Sequence, residues 1–193
     1  MALFIALFPL LSCGDDSGPT VPEVVTLLDE GWARFAAEDY DGALSKFEDA
    51  VAADRGLGDG YNGLGWTYLR MDSLDVALES FNMAAAKGLV GAGAQAGRCL
   101  VLNRKNEYRQ AIFAGQAAIE IDSLFELEAD PTLDIRDVRF AMAQSHLSLA
   151  EYVEAMNQVV TIDPSIVLNP YSATFVTDLI AKMELLEGRL VLQ

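Results

Sequence analysis

Residues 61–81 have the sequence YNGLGWTYLRMDSLDVALESF, and this stretch decides the fold. Apolar residues recur at helical spacing on both sides of residues 71–73, which is typical of two helices joined by a short turn. The first helix carries Gly65, and the second carries Ala77 and Phe81. Antiparallel helices approach closely only where one of them has a small residue, so Phe81 is expected to fill the space beside Gly65. The stretch therefore predicts a helical hairpin.

The same pattern is repeated along the chain. Three segments align on an aromatic residue or Leu followed three residues later by Ala, at a spacing of 34 residues, and a fourth follows after 44. These segments are Tyr40-Asp-Gly-Ala43, Leu74-Asp-Val-Ala77, Tyr108-Arg-Gln-Ala111 and Tyr152-Val-Glu-Ala155. The pattern predicts helices at 24–37 and 40–53, 58–71 and 74–87, 92–105 and 108–121, 136–149 and 152–162, and a ninth over 171–187 that ends near Gly188.

A period of 34 residues with two helices per unit resembles the tetratricopeptide repeat (TPR) family. The second unit is most similar to the family pattern, with Tyr61-x2-Leu64-Gly65-x2-Tyr68 and then Ala77-x3-Phe81. The resemblance implies an all-α, TPR-type helical-hairpin solenoid of about four repeats with a C-terminal capping helix. The implied domains are repeats within 23–167 (about 24–54, 58–88, 92–122 and 136–164), an acidic insertion at 123–135, and the capping helix in 168–193.

Each unit has one small residue where its two helices are expected to cross. These residues are Gly31, Gly65, Cys99 and Ala143. Cys99 is accordingly interpreted as a small apolar residue and not as a reactive thiol. In the third unit Gly115 stands where the family has a large residue, so Gly115→Leu is expected to be tolerated better than Gly65→Leu.

The N-terminal segment resembles a bacterial lipoprotein signal. Residues 1–12 are apolar, uncharged and too short to span a bilayer, and Leu10-Leu-Ser-Cys13 follows the pattern of a lipobox. The resemblance implies that Cys13 is acylated, that residues 13–22 form a flexible tether, and that the protein is held at the bacterial cell envelope, on the outer membrane and facing the periplasm. The alternative is a short buried helix in which Cys13 is an ordinary thiol.

Composition excludes several classes of function. The 193 residues carry 13 basic and 29 acidic side chains, a net charge of -16, which argues against nucleic acid as a partner. One His and two Cys are too few for a metal site built on these residues. Gly58-x-Gly60-x-x-Gly63 lacks the preceding strand that a dinucleotide site needs, and His146 occupies a packing position of its repeat. We therefore expect no catalytic residue, metal or cofactor, and no enzyme activity.

The inner helix of each TPR hairpin lines a concave groove, and helical spacing indicates which of its residues face outward. The predicted groove residues are Trp32, Phe35, Asn62, Trp66, Leu69, Arg70, Leu100, Asn103, Arg104, Phe140 and Gln144. Aromatic residues and Arg are frequent energetic anchors of protein interfaces. Arg70 and Arg104 are expected to be solvent-facing and, with Asn103, to favour a partner with an acidic or C-terminal carboxylate. The alternative is that Trp32 and Trp66 pack against neighbouring helices.

The sequence favours a non-catalytic, membrane-anchored adaptor that binds a peptide or protein in this groove and acts in envelope assembly, secretion or upkeep. Two alternatives remain. One is a binder of small molecules or envelope polymers, and the other is a structural subunit with an apolar patch on its convex face. The acidic insertion is interpreted as a solvated, mobile loop, with a weak cation site as the alternative.

Overall fold

The computed structural model of the protein describes residues 21–190, which form nine α-helices. They are α1 (Val21–Ala36), α2 (Tyr40–Ala53), α3 (Gly58–Arg70), α4 (Leu74–Ala86), α5 (Ala92–Arg104), α6 (Tyr108–Ile121), α7 (Ile135–Ser148), α8 (Tyr152–Ile162) and α9 (Phe175–Leu190). The first eight pack as four hairpins, and each hairpin packs on the next. The all-α helical-hairpin solenoid that the repeat predicts is confirmed.

The four hairpins turn in the same way. Each turn contains one residue with a left-handed backbone, and these are Glu38, Asp72, Asn106 and Ala150, with φ between 59° and 62°. The next residue donates its N–H to the carbonyl five residues back, at 2.9 Å in all four turns. This bond satisfies a carbonyl at the end of the first helix. The left-handed residues are spaced by 34, 34 and 44 positions, so the sequence period is also the period of the turn geometry.

In the first two hairpins a buried phenylalanine lies between glycines of two successive inner helices. Phe47 contacts Gly31 of α1 and Gly63 of α3, and Phe81 repeats this arrangement one unit later. A Cβ atom on Gly31 or on Gly65 would lie 2.6 Å from a ring carbon of the phenylalanine. These glycines therefore serve as packing positions for an aromatic ring, as the sequence predicts for Gly65.

The third hairpin reverses the arrangement. Gly115 of α6 stands at the position of the phenylalanine, and Met142 of α7 fills the space from the other side. A Cβ on Gly115 would lie 2.5 Å from Met142 Sδ and 3.0 Å from Cys99 Sγ, and Met142 and Cys99 are both buried. The expectation that Gly115→Leu is well tolerated is therefore wrong, because a neighbouring helix already occupies the volume that a larger residue needs.

The last helix, α9, packs on α7 and α8 and buries Phe175, Leu179, Met183 and Leu186 in a second apolar cluster. It begins four residues later than predicted, because the side chains of Asn169 and Ser172 accept hydrogen bonds from the backbone N–H groups of Tyr171 and Thr174 and hold this segment as turns. It also continues through Gly188 to Leu190. Within residues 21–190, no helix is both long and apolar enough to cross a membrane.

The acidic insertion, residues 122–134 between α6 and α7, is ordered and folds back on the helices. Phe125 and Leu127 are buried in the main apolar cluster. Leu127 donates its N–H to Leu133 at 2.9 Å, and Ile135 donates its N–H to Phe125 at 2.9 Å, so the insertion forms a short paired loop. Its interpretation as a solvated, mobile loop is wrong, because its two large apolar residues are withdrawn from water.

Candidate peptide-binding groove

The inner helices α1, α3, α5 and α7 lie in a row, each in contact with the next. Seven of the eleven predicted groove residues surround a single cavity of about 330 Å³ between α3, α5 and α7. They are Leu69, Arg70, Leu100, Asn103, Arg104, Phe140 and Gln144. Helical spacing brings these residues together because equivalent positions of successive repeats face the same side.

The cavity continues along the helices. A second space of about 430 Å³ shares Arg70, Asp137, Phe140 and Gln144 with the first and extends to Glu187 and Leu190 of α9. A third, of about 290 Å³, shares Asn103 and Gln144 and extends to Leu147. The three spaces share lining residues and together form one groove, which both apolar and polar side chains line. We call it the open groove; it runs over α3, α5 and α7 and ends at α9.

Both arginines of the open groove are paired within the chain. Arg70 forms an ion pair with Asp130 of the insertion, and Arg104 Nη2 donates to Asp72 at 2.5 Å. The Arg104–Asp72 pair is exposed on both sides, with 46% of the Arg104 side-chain surface and 73% of the Asp72 side-chain surface accessible. Arg70 and Arg104 are both exposed, as expected, but each guanidinium group already has an acidic partner, which the sequence hypothesis missed. The surplus of carboxylates in this chain supplies an acidic neighbour for each of them.

Asn103 joins two inner helices. Its amide nitrogen donates to the backbone oxygen of Ala141 at 2.9 Å and to Ser145 Oγ at 3.0 Å. These bonds use the donors that the sequence hypothesis assigned to a partner carboxylate. Asn103 thus connects α5 to α7 at the wall of the open groove.

Four predicted groove residues are buried, and two of them, Phe35 and Trp66, do not line the open groove. Phe35 is 2% exposed and lies one helical turn after Gly31, so it faces α2 and packs edge-on against Tyr40 at 5.6 Å. Trp66 is fully buried, and its indole lies edge-on to Phe81 at 5.5 Å. For Trp66 the alternative of packing against neighbouring helices is the one that the structure shows.

The remaining two predicted groove residues, Trp32 and Asn62, lie beside the insertion. Trp32 is partly buried, contacts Phe47 edge-on at 5.0 Å, and lines a separate cavity of about 480 Å³ with Asp29 and residues 127–129. Asn62 lies on α3 beside Gly93 of α5, and its Oδ1 atom is buried without a hydrogen-bond partner. Trp32 and Asn62 are thus not among the residues that line the open groove.

Asp137 is a wall residue that the sequence hypothesis missed. It lies at the start of α7 and accepts a hydrogen bond from the backbone N–H of Asp134 at 2.8 Å, while Asp134 caps the same helix. Burial raises the pKa of the Asp137 carboxyl, partly opposed by the bond from Asp134. The spacing Asp134-x-x-Asp137 is that of a capping box, and this signal could have placed the start of α7 and its acidic side chain.

The other chemical candidates have packing roles. Gly60 and Gly63 face Val51 and Phe47, which shows helix packing at the glycine motif. His146 is 7% exposed, and its Nδ1 lies 2.8 Å from Glu151 Oε2 at the start of α8. Burial raises the pKa of Cys99 to about 12, as expected for a buried thiol. Within residues 21–190, no group of three His, Cys, Asp or Glu side chains is placed to hold a metal ion.

Solved structures of TPR proteins share this fold. YrrB, described as a TPR protein with an unusual peptide-binding site, has a TM-score of 0.64 and 16% identity, over 90% of this chain and 81% of YrrB. MamA has a TM-score of 0.62 and 19% identity, over 87% of this chain and 86% of MamA. The first TPR domain of Spaghetti (RPAP3), bound to the HSP90 peptide SRMEEVD, has a TM-score of 0.59 and 16% identity, over 68% of this chain and 99% of that domain. Neither protein-family models nor curated proteins give a significant match. The chain is similar to TPR proteins and has their fold.

Proposed function

We propose that the protein is a non-catalytic adaptor that binds a peptide segment of another protein in the open groove. The observation that carries the proposal is the meeting of seven predicted groove residues around one continuous space. Leu100 supplies apolar contact area, together with the 8% of Phe140 that stays exposed, while Arg104 and Gln144 supply hydrogen-bonding groups. A preformed groove of this kind spends no free energy on ordering itself when the partner binds.

The shape of the space favours a peptide over a small molecule. Three cavities join through Asn103, Gln144 and Phe140 instead of forming one enclosed pocket. An extended or helical segment could lie along such a groove with its side chains in successive cavities. Two proteins with the same fold support this choice, since YrrB has an unusual peptide-binding site and the RPAP3 domain is bound to an HSP90 peptide.

Arg104 is the group that we assign to an acidic or C-terminal carboxylate of the partner. Its ion pair with Asp72 is exposed, and exposed pairs contribute little, typically about 0–1 kcal/mol. An incoming carboxylate could therefore share or replace Asp72 at small cost, and the remaining guanidinium donors allow a second bond. The RPAP3 domain holds a peptide with acidic residues, SRMEEVD, which supports this chemistry for the fold.

We further propose that the adaptor is anchored to the bacterial cell envelope through acylated Cys13, at the outer membrane and facing the periplasm. The support is the sequence alone, Leu10-Leu-Ser-Cys13 after an apolar stretch, and these residues lie outside the described part of the structure. Cys13→Ala is expected to move the protein from the membrane fraction to the soluble fraction with unchanged helical content. Retention of the variant in membranes after a high-salt wash would contradict the anchor.

The adaptor function is tested by affinity capture from the native envelope with three forms of the full chain. The first is the unchanged protein, and the second carries Leu100→Asp and Gln144→Ala, both in the open groove. The third carries Phe113→Ser on α6, a residue that is 70% exposed and outside the groove. We expect the groove variant to lose the partner and the Phe113 variant to keep it. If the groove variant kept the partner and the Phe113 variant lost it, the adaptor proposal would be rejected in favour of the structural-subunit alternative.

A further inference from the structure

The insertion lies on the part of the inner face that α1, α3 and α5 form. The ring of Phe125 stacks on Trp66, with ring centroids 6.4 Å apart and planes inclined by 17°. The same ring lies 3.5 Å from the position that a Cβ on Gly93 would take, an ordinary van der Waals distance, so the ring also packs on α5. Five residues further on, Asp130 forms the ion pair with Arg70. An aromatic residue and an acidic residue thus hold the insertion at two points.

Two polar atoms under the insertion are left without partners. Trp66 Nε1 and Asn62 Oδ1 are both buried and make no hydrogen bond. Both side chains lie beside Gly93 of α5, since a Cβ on Gly93 would be 3.8 Å from Trp66 Nε1 and 3.9 Å from Asn62 Nδ2. One is a donor and the other an acceptor, the pair that a peptide backbone complements with its C=O and N–H groups. The insertion covers these atoms without bonding them, and this is unfavourable for a buried donor and acceptor.

The backbone pairing of the insertion does not involve α3 or α5. The hydrogen bonds that order it run within residues 122–137, including those from Leu127 to Leu133 and from Ile135 to Phe125. Its attachment to the helices is made by side chains: the Phe125 stack, the Arg70–Asp130 ion pair, the burial of Leu127 and the packing of Ala129 and Leu133 on the main apolar cluster. A competing peptide therefore has to replace side-chain contacts and not backbone hydrogen bonds between the insertion and the helices.

We infer that the insertion is an intramolecular ligand that covers a second peptide-binding section, and that the partner which displaces it carries an aromatic residue followed five positions later by an acidic residue. The aromatic residue takes the place of Phe125 on Trp66, and the acidic residue takes the place of Asp130 on Arg70. The partner backbone bonds Trp66 Nε1 and Asn62 Oδ1, which gives it an advantage over the insertion. This inference rests on the proposed adaptor function and specifies the chemistry of its partner.

The test uses the insertion's own sequence as a probe in trans. The probe is a fluorescently labelled peptide SLFELEADPTL, residues 123–133, and the control peptide has Ala and Asn in place of its Phe and Asp. Each is titrated by fluorescence anisotropy against the full chain and against the full chain with Phe125→Ala and Asp130→Asn. Because the insertion of the unchanged protein competes with the probe, we expect the probe to bind the double variant at least about tenfold more tightly. The control peptide should bind neither protein.

Two further variants keep the result decisive. Asp130→Asn alone removes the ion pair while leaving Phe125 in the core, and it should tighten probe binding relative to the unchanged chain. Arg70→Ala, added to the double variant, should weaken probe binding again. Equal binding of the probe to the unchanged and the Asp130→Asn proteins, or no binding to either, would overturn the inference. The proposed adaptor function is tested separately, by the capture experiment, and it stands if the Leu100→Asp, Gln144→Ala protein loses the partner. A failure of this inference can therefore be distinguished from a failure of the proposed function.

Discussion

The side chain of Met142 on α7 fills the space beside Gly115 on α6, where the two preceding repeats have Phe47 and Phe81 on the outer helix. The missing aromatic volume of the third repeat is thus supplied by the next inner helix. This exchange preserves close packing at the crossing although the residue pattern of the repeat is broken.

This packing predicts that a larger side chain at Gly65 or Gly115 destabilises the protein. Gly65→Leu and Gly115→Leu should each lower the free energy of unfolding by about 1–3 kcal/mol, because Phe81 or Met142 already fills the space. Thermal and urea unfolding measure the changes. Gly188→Ala is the control, since nothing lies within 4 Å of its Cβ position and the helical backbone should gain about 0.5–1 kcal/mol.

The pairing of Gly115 with Met142 can be tested by a double-mutant cycle. Met142→Ala alone should cost about 2–5 kcal/mol through the cavity that it leaves. When combined with Gly115→Leu, the loss should be smaller than the sum of the two single losses, because Leu occupies the vacated space. Additive losses would show that the two residues do not share one volume.

The hairpin turns predict a stabilising substitution. Ala150 has a φ of 60°, a left-handed conformation that costs a residue with a side chain roughly 1 kcal/mol more than it costs glycine. Ala150→Gly should therefore raise the free energy of unfolding by about 1 kcal/mol, or the melting temperature by about 2–4 °C for a protein of this size. Ala33→Gly, an exposed position inside α1, should instead be destabilising by about 1 kcal/mol. A loss of stability for Ala150→Gly would contradict the turn geometry.

The attachment of α9 predicts a pH effect. Hydrogen bonds from Arg189 and then from Ser165 lower the pKa of Asp163 from 3.8 to about 2. A carboxyl group with a lowered folded-state pKa stabilises the fold above its unfolded pKa and loses that contribution as pH falls toward the folded value. The melting temperature of the unchanged protein should exceed that of Asp163→Asn at pH 6, and the difference should shrink between about pH 4 and pH 2.

Arg189→Ala provides the matching variant for this experiment. It should reduce the same pH-dependent difference, and the loss in the double variant should be smaller than the sum of the two single losses, because Arg189 and Asp163 are ion-pair partners. Some pH dependence should remain in Arg189→Ala, since Ser165 still donates hydrogen bonds to Asp163. A difference between the unchanged protein and Asp163→Asn that stays constant from pH 6 to pH 2 would contradict the role of this pair.

Cys99 should be chemically inert in the folded protein. It is fully buried, and its pKa of about 12 leaves almost no thiolate at pH 8. In a Cys13→Ser background, iodoacetamide at pH 8 should modify Cys99 only after denaturant is added, as measured by intact mass. Rapid modification of the native protein would place the thiol outside the α5–α6–α7 crossing.

The repeat could be predicted from sequence because one interaction recurs in it. A small residue opposite a large one and a fixed turn return every 34 residues, so Gly65 and Phe81 indicate the hairpin and helical spacing indicates which residues surround the open groove. The packing of Gly115 could not be predicted in this way, because its partner Met142 lies beyond the insertion, where the period is interrupted.

The position of the insertion on the helices could not be predicted from the sequence either. Its acidic residues indicate solvent exposure, whereas its fold depends on Phe125 and Leu127, two apolar residues without helical periodicity. The ion pair between Arg70 and Asp130 joins residues that no local pattern relates. The sequence places Trp66 in the groove for the same reason, because nothing local indicates that Phe125 of the insertion covers it.

The adaptor account is tested most directly by site-specific photo-crosslinking in intact cells that make the protein. A photoreactive phenylalanine analogue is placed at Gln144 or Leu100 in the open groove, and at Glu79 on the exposed side of α4 as the control. Mass spectrometry then maps the crosslinked residues of the partner. The account predicts that both groove positions crosslink to one short contiguous segment of a single protein and that position 79 does not. Crosslinks from position 79 without any from the two groove positions would contradict it.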